Sequence, residues 1–140
     1  MSEEKLLHAV ADTAAAGHST LTAALPLAAG KELCAALEQQ LREYSAFLAE
    51  ACRLLAEAGL RQPAANRPRL GSFFVLQVKA MGSEADRQLT ALLLQGLHDS
   101  VVQLTAALNA LPDTGSGIIR LARRLLTSEQ GCYREWMQFL

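Results

Sequence analysis

Aromatic and β-branched residues are scarce in this chain of 140 residues. It contains one tryptophan, two tyrosines and four phenylalanines, and valine and isoleucine together occur only seven times. Because β-strands are enriched in β-branched and aromatic residues, this scarcity argues against a β-sandwich and against a doubly wound sheet. The length fits a single domain with one core.

An excess of charge is also missing, since 13 Lys and Arg residues face 14 Asp and Glu residues. This balance gives no indication of a nucleic-acid partner or of an acidic membrane surface. The acidic N-terminus shows no signal-peptide pattern, and we expect no membrane span. Three cysteines without a C-x-x-C pair predict free thiols in the reducing cytoplasm.

Alanine and leucine, both strong helix formers, are abundant instead. Apolar residues recur at alternating spacings of three and four, as at Leu94, Leu97, Val101 and Leu104 of the third helix, which predicts helices. Pro26 and Gly30 separate the first two helices, and Gly59 ends the second. The predicted helices cover about residues 3–25, 31–58, 83–110 and 117–139.

A connector over residues 59–82 separates the second and third helices. Pro63 and Pro68 break helical structure, and Ser72 can cap a short helix over about residues 72–80. Ser83-Glu84-Ala85-Asp86 resembles a capping box at the start of the third helix. A connector of this length can run along a whole bundle. The sequence therefore predicts an all-α four-helix bundle, with two hairpins joined by one long crossover between parallel helices.

Several short motifs support the same layout. They are Gly17-His18, the second-helix series Leu37, Tyr44, Leu48 and Leu55 ending at Ala58-Gly59, Gly96-Leu97-His98-Asp99, Leu125-Leu126 and Glu129-Gln130. Together they resemble a bacterial family of ferritin-like four-helix-bundle domains of unknown function. The resemblance implies a fold and not a metal. Di-iron bundles use Glu-x-x-His motifs, which this sequence lacks, so we predict no catalytic residues and no cofactor.

One acidic residue, Glu129, falls on the apolar stripe of the fourth helix, between Leu125 and Cys132. A carboxylate in a core is costly unless it is paired or hydrogen-bonded. Counting along the helices brings four further side chains to a similar depth, which gives a candidate polar layer or ligand site. Its members are His18, Glu38, Tyr44, His98 and Glu129.

Besides a metal or small-ligand site, three interpretations of this layer remain open. It can be a hydrogen-bonded cluster without a ligand, or its side chains can reach the surface, or a shifted helical phase can turn Glu129 outward. If a divalent metal or iron binds, Glu129, His98, His18 and Glu38 are its candidate ligands.

Two functions from different classes follow. The first is a non-catalytic interaction or scaffold domain, forming a homodimer through the third helix and the apolar C-terminal helix. The second is a bundle that binds a metal or a small ligand at the polar layer.

A third hypothesis is an anion-binding module. The connector carries Arg61, Arg67, Arg69 and Lys79, and the fourth helix begins with Arg120, Arg123 and Arg124. The alternative for these residues is a solvated surface with local pairing to neighbouring acids.

Overall fold

The computed structural model describes residues 1–64 and 84–140, and all regular structure within these ranges is helical. Four long helices are present, as predicted: α1 (Glu3–Ala24), α2 (Lys31–Glu57), α3 (Ala85–Asn109) and α4 (Gly117–Trp136). Short 3₁₀ turns follow α1 at Leu25–Leu27 and α4 at Met137–Phe139. The predicted short helix over residues 72–80 lies outside the described residues.

Local sequence explains where the helices begin and end. Ser2 accepts a hydrogen bond from the Lys5 N–H before α1, and Ser116 accepts one from the Ile119 N–H before α4, both at 3.2 Å. Each hydroxyl satisfies a backbone donor that the first helical turn leaves unpaired. Gly59, with φ of +70°, ends α2 in the left-handed conformation that glycine adopts without strain.

Asp86 links the beginnings of two helices that are distant in sequence. Its carboxylate oxygens accept hydrogen bonds from the Ala29 and Gly30 N–H groups, each at 2.8 Å. The capping residue of α3 is Glu84, whose side chain makes no capping bond, and Ser83, the first residue of the predicted capping box, lies outside the described residues. Asp86 caps α2 instead. Helices α2 and α3 therefore begin at the same end of the bundle and are parallel.

The other two helices begin at the opposite end, where the Ser116 hydroxyl donates to the Glu3 carboxylate. Helix α1 packs against α2, α3 and α4, and α4 also packs against α2 and α3, whereas α2 and α3 occupy opposite corners. The protein is thus an all-α four-helix bundle of two antiparallel hairpins. The predicted parallel orientation of the second and third helices is confirmed. Within the described ranges, no helix carries an apolar stretch long enough to cross a lipid bilayer.

The bundle divides into two halves with different cores. The apolar half is the end where α1 and α4 begin, and its core includes Leu6, Leu7, Val10, Ala51, Leu55, Leu104, Leu121 and Leu125. The polar half extends from the middle to the end where α2 and α3 begin. Among the described residues, the buried polar side chains Gln40, Thr90, Ser100 and Glu129 all lie in this second half. The fold therefore places any polar chemistry of the core in one half.

Candidate functional site

Glu129 lies in the core of the polar half, on the inward face of α4. Its side chain is only 1% exposed, and its helical neighbours Leu125 and Cys132 are buried on the same face. This position matches the predicted phase of the fourth helix. The interpretation in which Glu129 turns outward is therefore excluded.

Hydroxyl groups from two other helices donate to the Glu129 carboxylate. The Tyr44 hydroxyl of α2 lies 2.7 Å from Oε2. The Ser100 hydroxyl of α3 lies 2.8 Å from Oε1 and 2.9 Å from Oε2. Hydrogen bonds to a charged acceptor are stronger than bonds between neutral groups, so these two donors offset part of the cost of burying the carboxylate.

The buried phenol of Tyr44 remains protonated. Burial, which disfavours the phenolate, raises the pKa of Tyr44 well above its ordinary value of 10.0, and the negative charge of Glu129 raises this pKa further. A protonated phenol keeps its O–H donor. Tyr44 therefore donates to Glu129 throughout the neutral pH range.

Gly17 of α1 makes room for the Tyr44 ring. A Cβ atom at this glycine would lie 2.5 Å from two atoms of that ring. Such a distance is far below van der Waals contact, so a larger residue would displace the tyrosine from Glu129. Helix α1 thus contributes to the site by the absence of a side chain.

A cavity of about 390 Å³ adjoins this cluster, between α1 and α3. Its volume falls within the range of small-molecule sites in proteins. The lining combines apolar, hydroxyl, amide and carboxylate side chains. The lining residues are Thr13, Gly17, Thr20, Leu21, Tyr44, Leu92, Leu93, Gln95, Gly96, Leu97, Asp99, Ser100, Gln103, Glu129 and Trp136.

Trp136, at the end of α4, lines the same cavity and is only 2% exposed. Its indole Nε1–H is buried, and the described part of the chain provides it with no hydrogen-bond acceptor. Buried donors in proteins nearly always have a partner, so this N–H is an exception that calls for a reason.

A second polar cluster lies beside the first, between α2 and α4. The Gln40 side-chain amide donates to the Ser128 hydroxyl at 3.2 Å, and this hydroxyl lies 3.1 Å from a Glu43 carboxylate oxygen. The cluster is partly buried and hydrogen-bonded within itself. It therefore contributes to packing between α2 and α4 and does not extend the cavity.

Of the predicted polar layer, the structure brings together Tyr44 and Glu129 and leaves out the other three residues. Glu38 and His98 are exposed, and His98 lies beside the Tyr133 ring at a centroid distance of 6.2 Å. His18 is half-buried and is not part of the cavity lining. The layer is corrected accordingly, because positions that flank the buried stripe point along the surface and not inward.

Sequence reasoning missed Ser100, although a signal for it exists. Ser100 lies three residues after Leu97 and four before Leu104, so it shares their helix face. The predicted stripe used Val101 at this point, but Val101 is half-buried whereas Ser100 is buried.

The candidate metal ligands do not converge. Among residues 1–64 and 84–140, no group of three His, Cys, Asp or Glu side chains is arranged to hold a metal ion. Glu129 accepts hydrogen bonds from the Tyr44 and Ser100 hydroxyl groups instead.

The arginines at the start of α4 have local partners. Arg124 pairs with Glu50 at 2.9 Å, and Arg123 pairs with Asp113 at 3.2 Å. This agrees with the local-pairing alternative. Arg61 is exposed, whereas Arg67, Arg69 and Lys79 lie outside the described residues.

All three cysteines are free, and Cys132 lies in the core near the carboxylate cluster. Burial, together with the nearby carboxylates of Glu135, Glu43 and Glu129, raises the pKa of the Cys132 thiol above its ordinary value of 9.0. A thiol that stays protonated is a poor nucleophile, so Cys132 is a packing residue.

Comparison with known proteins adds no family assignment. No protein-family model, curated protein or solved structure matches this chain.

Proposed function

We propose that this protein is a non-catalytic helical bundle that binds a small organic molecule in the cavity between α1 and α3. The observation that carries the proposal is the position of a buried carboxylate, Glu129, in the wall of a cavity of about 390 Å³. Burying a carboxylate destabilises a core, and natural proteins retain such a residue where it serves a function. The cavity gives this carboxylate a role in binding.

The cavity has the mixed character typical of ligand sites. Leucine side chains supply apolar surface, while Glu129, Ser100 and Tyr44 supply a fixed set of polar atoms. A few converging polar groups in an otherwise apolar cavity are what orient a small molecule.

A blocking variant tests this proposal. Thr13 lines the cavity, so Thr13→Phe places a phenyl ring into its volume. Thr22→Phe makes the same change on the same helix at an exposed position outside the cavity and serves as the control. Both variants are first checked for an unchanged helical circular dichroism spectrum.

The measurement is a nuclear magnetic resonance screen of small charged and uncharged organic fragments. The indole N–H of Trp136 is the reporter, because the chain has one tryptophan. We expect fragments to shift this signal in the wild type and in Thr22→Phe, and to bind Thr13→Phe at least about tenfold more weakly. A screen without binders, or equal binding to both variants, would overturn the proposal.

A homodimer is the second candidate, and it is compatible with ligand binding. Val102 of α3 is 52% exposed, and Met137 and Leu140 after α4 are 44% and 54% exposed. These apolar side chains support an interface on α3 and the C-terminus. Sedimentation velocity across a concentration series tests it, and a monomer at every concentration would remove this candidate.

The resemblance to ferritin-like domains also remains a proposal, supported by the parallel directions of α2 and α3. A cytoplasmic location is proposed on the free state of the cysteines, because thiols persist in reducing compartments.

A further inference from the structure

Two acidic side chains belong to the lining of the cavity between α1 and α3, at different depths. Glu129 is buried in the wall, whereas Asp99 of α3 is exposed and lies at the opening. Among the described lining residues, no lysine, arginine or histidine accompanies them. This lining therefore carries negative charge, which stabilises a positive ligand and disfavours a negative one.

The hydrogen bonds that Glu129 accepts from Tyr44 and Ser100 leave its charge in place, because both donors are neutral hydroxyl groups. A charge surrounded by protein is screened less than a charge in water, so its potential extends further. The Glu129 carboxylate thus contributes to the potential inside the cavity while the hydroxyls hold its orientation.

The opening of the cavity carries a row of polar side chains on α3. Gln95, Asp99 and Gln103 follow one another at intervals of four residues, so they lie on one face of the helix. All three are exposed members of the lining. Their amide and carboxylate oxygens accept hydrogen bonds, and an ammonium group, which has N–H donors and no acceptor, matches these oxygens.

The inner walls define the body of the ligand. Leu21, Leu93 and Leu97 are buried and provide an apolar surface. A cavity of about 390 Å³ with such walls suits an organic body better than a bare ion, because burial of apolar surface then contributes binding energy.

From these features, and resting on the proposed function above, we infer that the ligand is an organic ammonium ion with an apolar body. Its apolar part packs against the leucines of α1 and α3. Its ammonium group lies in the negative potential of Glu129 and Asp99. Primary amines with an aromatic or branched aliphatic group belong to this class.

Three probes of similar size test the inference: benzylammonium, benzyl alcohol and benzoate. They share a phenyl ring and differ in charge, which is positive, zero and negative. With the backbone amide signal of Gly96 as reporter, we expect benzylammonium to saturate and to bind at least about tenfold more tightly than benzyl alcohol, which is the effect of one hydrogen bond between charged groups. Benzoate should bind most weakly, and Thr13→Phe should weaken the binding of benzylammonium.

A pair of variants separates the charge of the lining from the net charge of the protein. Asp99→Asn removes one charge at the opening, whereas Glu38→Gln removes one charge from an exposed residue outside the cavity and serves as the control. We expect Asp99→Asn to weaken benzylammonium binding roughly 2- to 5-fold, as for an exposed ion pair, and to leave benzyl alcohol binding unchanged. Glu38→Gln should bind both probes like the wild type.

Glu129→Gln removes the buried charge and keeps an acceptor oxygen for the two hydroxyls. We expect this variant to bind benzylammonium at least about tenfold more weakly, because a buried charge is screened less than Asp99. Its helical circular dichroism spectrum is checked first. If the variant does not fold, the comparison of Asp99→Asn with Glu38→Gln decides the inference, because both residues are exposed and their substitution does not disturb the core.

The outcomes distinguish the inference from the proposed function. If benzyl alcohol or benzoate binds as tightly as benzylammonium, or if Asp99→Asn and Glu38→Gln bind benzylammonium equally, the ammonium class is wrong although the cavity still binds ligands. If none of the three probes binds while other fragments do, the inference also fails alone. If no fragment of any charge binds, the inference and the proposed function are both overturned.

Discussion

The apolar half and the polar half of the bundle are built from the same four helices but differ in how they fill their centres. In the apolar half, leucines such as Leu6, Leu55 and Leu121 are fully buried in the hydrophobic core. The polar half contains a hydrogen-bonded cluster and a cavity in its core. Tyr44 and Glu129 form the hydrogen bond, and Gly17 leaves room for the Tyr44 ring.

This difference indicates a division of roles along the bundle. Close packing of leucine contributes most of the stability of a helical core, and a cavity or a buried charge reduces it. A bundle that is tightly packed at one end can retain a less favourable arrangement at the other. Substitutions in the two halves should therefore separate folding from binding.

The largest effect on stability is expected in the apolar half. Leu55 is fully buried, so Leu55→Ala removes packed atoms and leaves a void. We expect the free energy of unfolding to fall by about 2–5 kcal/mol, as measured by chemical denaturation. Leu54→Ala, at a half-buried neighbouring position, should lower the free energy of unfolding by less. The affinity for fragments found in the screen should stay unchanged in both variants, and a large loss of affinity would contradict the division between the halves.

A smaller effect is expected from a glycine in the polar half. Gly17→Ala brings a methyl group against the Tyr44 ring, and we expect the free energy of unfolding to fall by about 1–3 kcal/mol. Gly131 of α4 has no neighbouring atom within 4 Å of an added Cβ. Gly131→Ala should therefore raise the stability by about 0.5–1 kcal/mol through helix propensity alone. Equal shifts of the melting temperature in both variants would show that Gly17 has no special contact.

The smallest effect at neutral pH is expected from Tyr44→Phe. The variant keeps the ring and removes the Tyr44 hydroxyl that donates to Glu129, so we expect the free energy of unfolding to fall by about 1–2 kcal/mol. Tyr133→Phe, on the outer face of α4, should stay within about 0.5 kcal/mol of the wild type.

The same variant changes the response to alkaline pH. In the unfolded chain Tyr44 loses its proton near pH 10, whereas the folded protein retains it because the folded pKa is raised. The native state then binds more protons, so its stability falls above pH 10 by up to about 1.4 kcal/mol per pH unit. Cys132, whose pKa is also raised, adds a decline from about pH 9. Denaturation between pH 8 and 11 should show a shallower decline for Tyr44→Phe, and parallel curves would contradict the buried position of this phenol.

Much of the fold was predictable because the apolar spacing is regular. Leu37, Tyr44 and Leu55 of the predicted α2 stripe are buried, while Leu48 is half-buried. The position of Glu129 follows from its spacing to Leu125 and Cys132. Helices α2 and α4 each have one narrow apolar face, so the sequence fits only one rotation of each helix about its axis.

The rest of the site depends on features that spacing does not contain. The apolar residues of α3 cover a wide arc, so its sequence fits two phases, and the wrong one favoured Val101 over Ser100 and brought His98 too close to the core. The cavity depends on the separation of α1 and α3, which follows from tertiary packing. Whether the Trp136 indole has a hydrogen-bond acceptor depends on which described residues pack around it, and the sequence pattern does not predict this.

The hydrogen bonds of Asp86 also set the alignment that the cluster needs. They fix Gly30 and Asp86 at one level, and Tyr44 and Ser100 each follow 14 residues later on their parallel helices. With the same rise per residue, both side chains reach the same height, roughly 21 Å from that common origin. Glu129 meets the two hydroxyls at this height. The Asp86 carboxylate at the end of the bundle thus sets the height of both hydroxyls. An insertion of a single residue between this end and the hydroxyl, in either helix, would rotate that hydroxyl by about 100° and move it out of reach of Glu129.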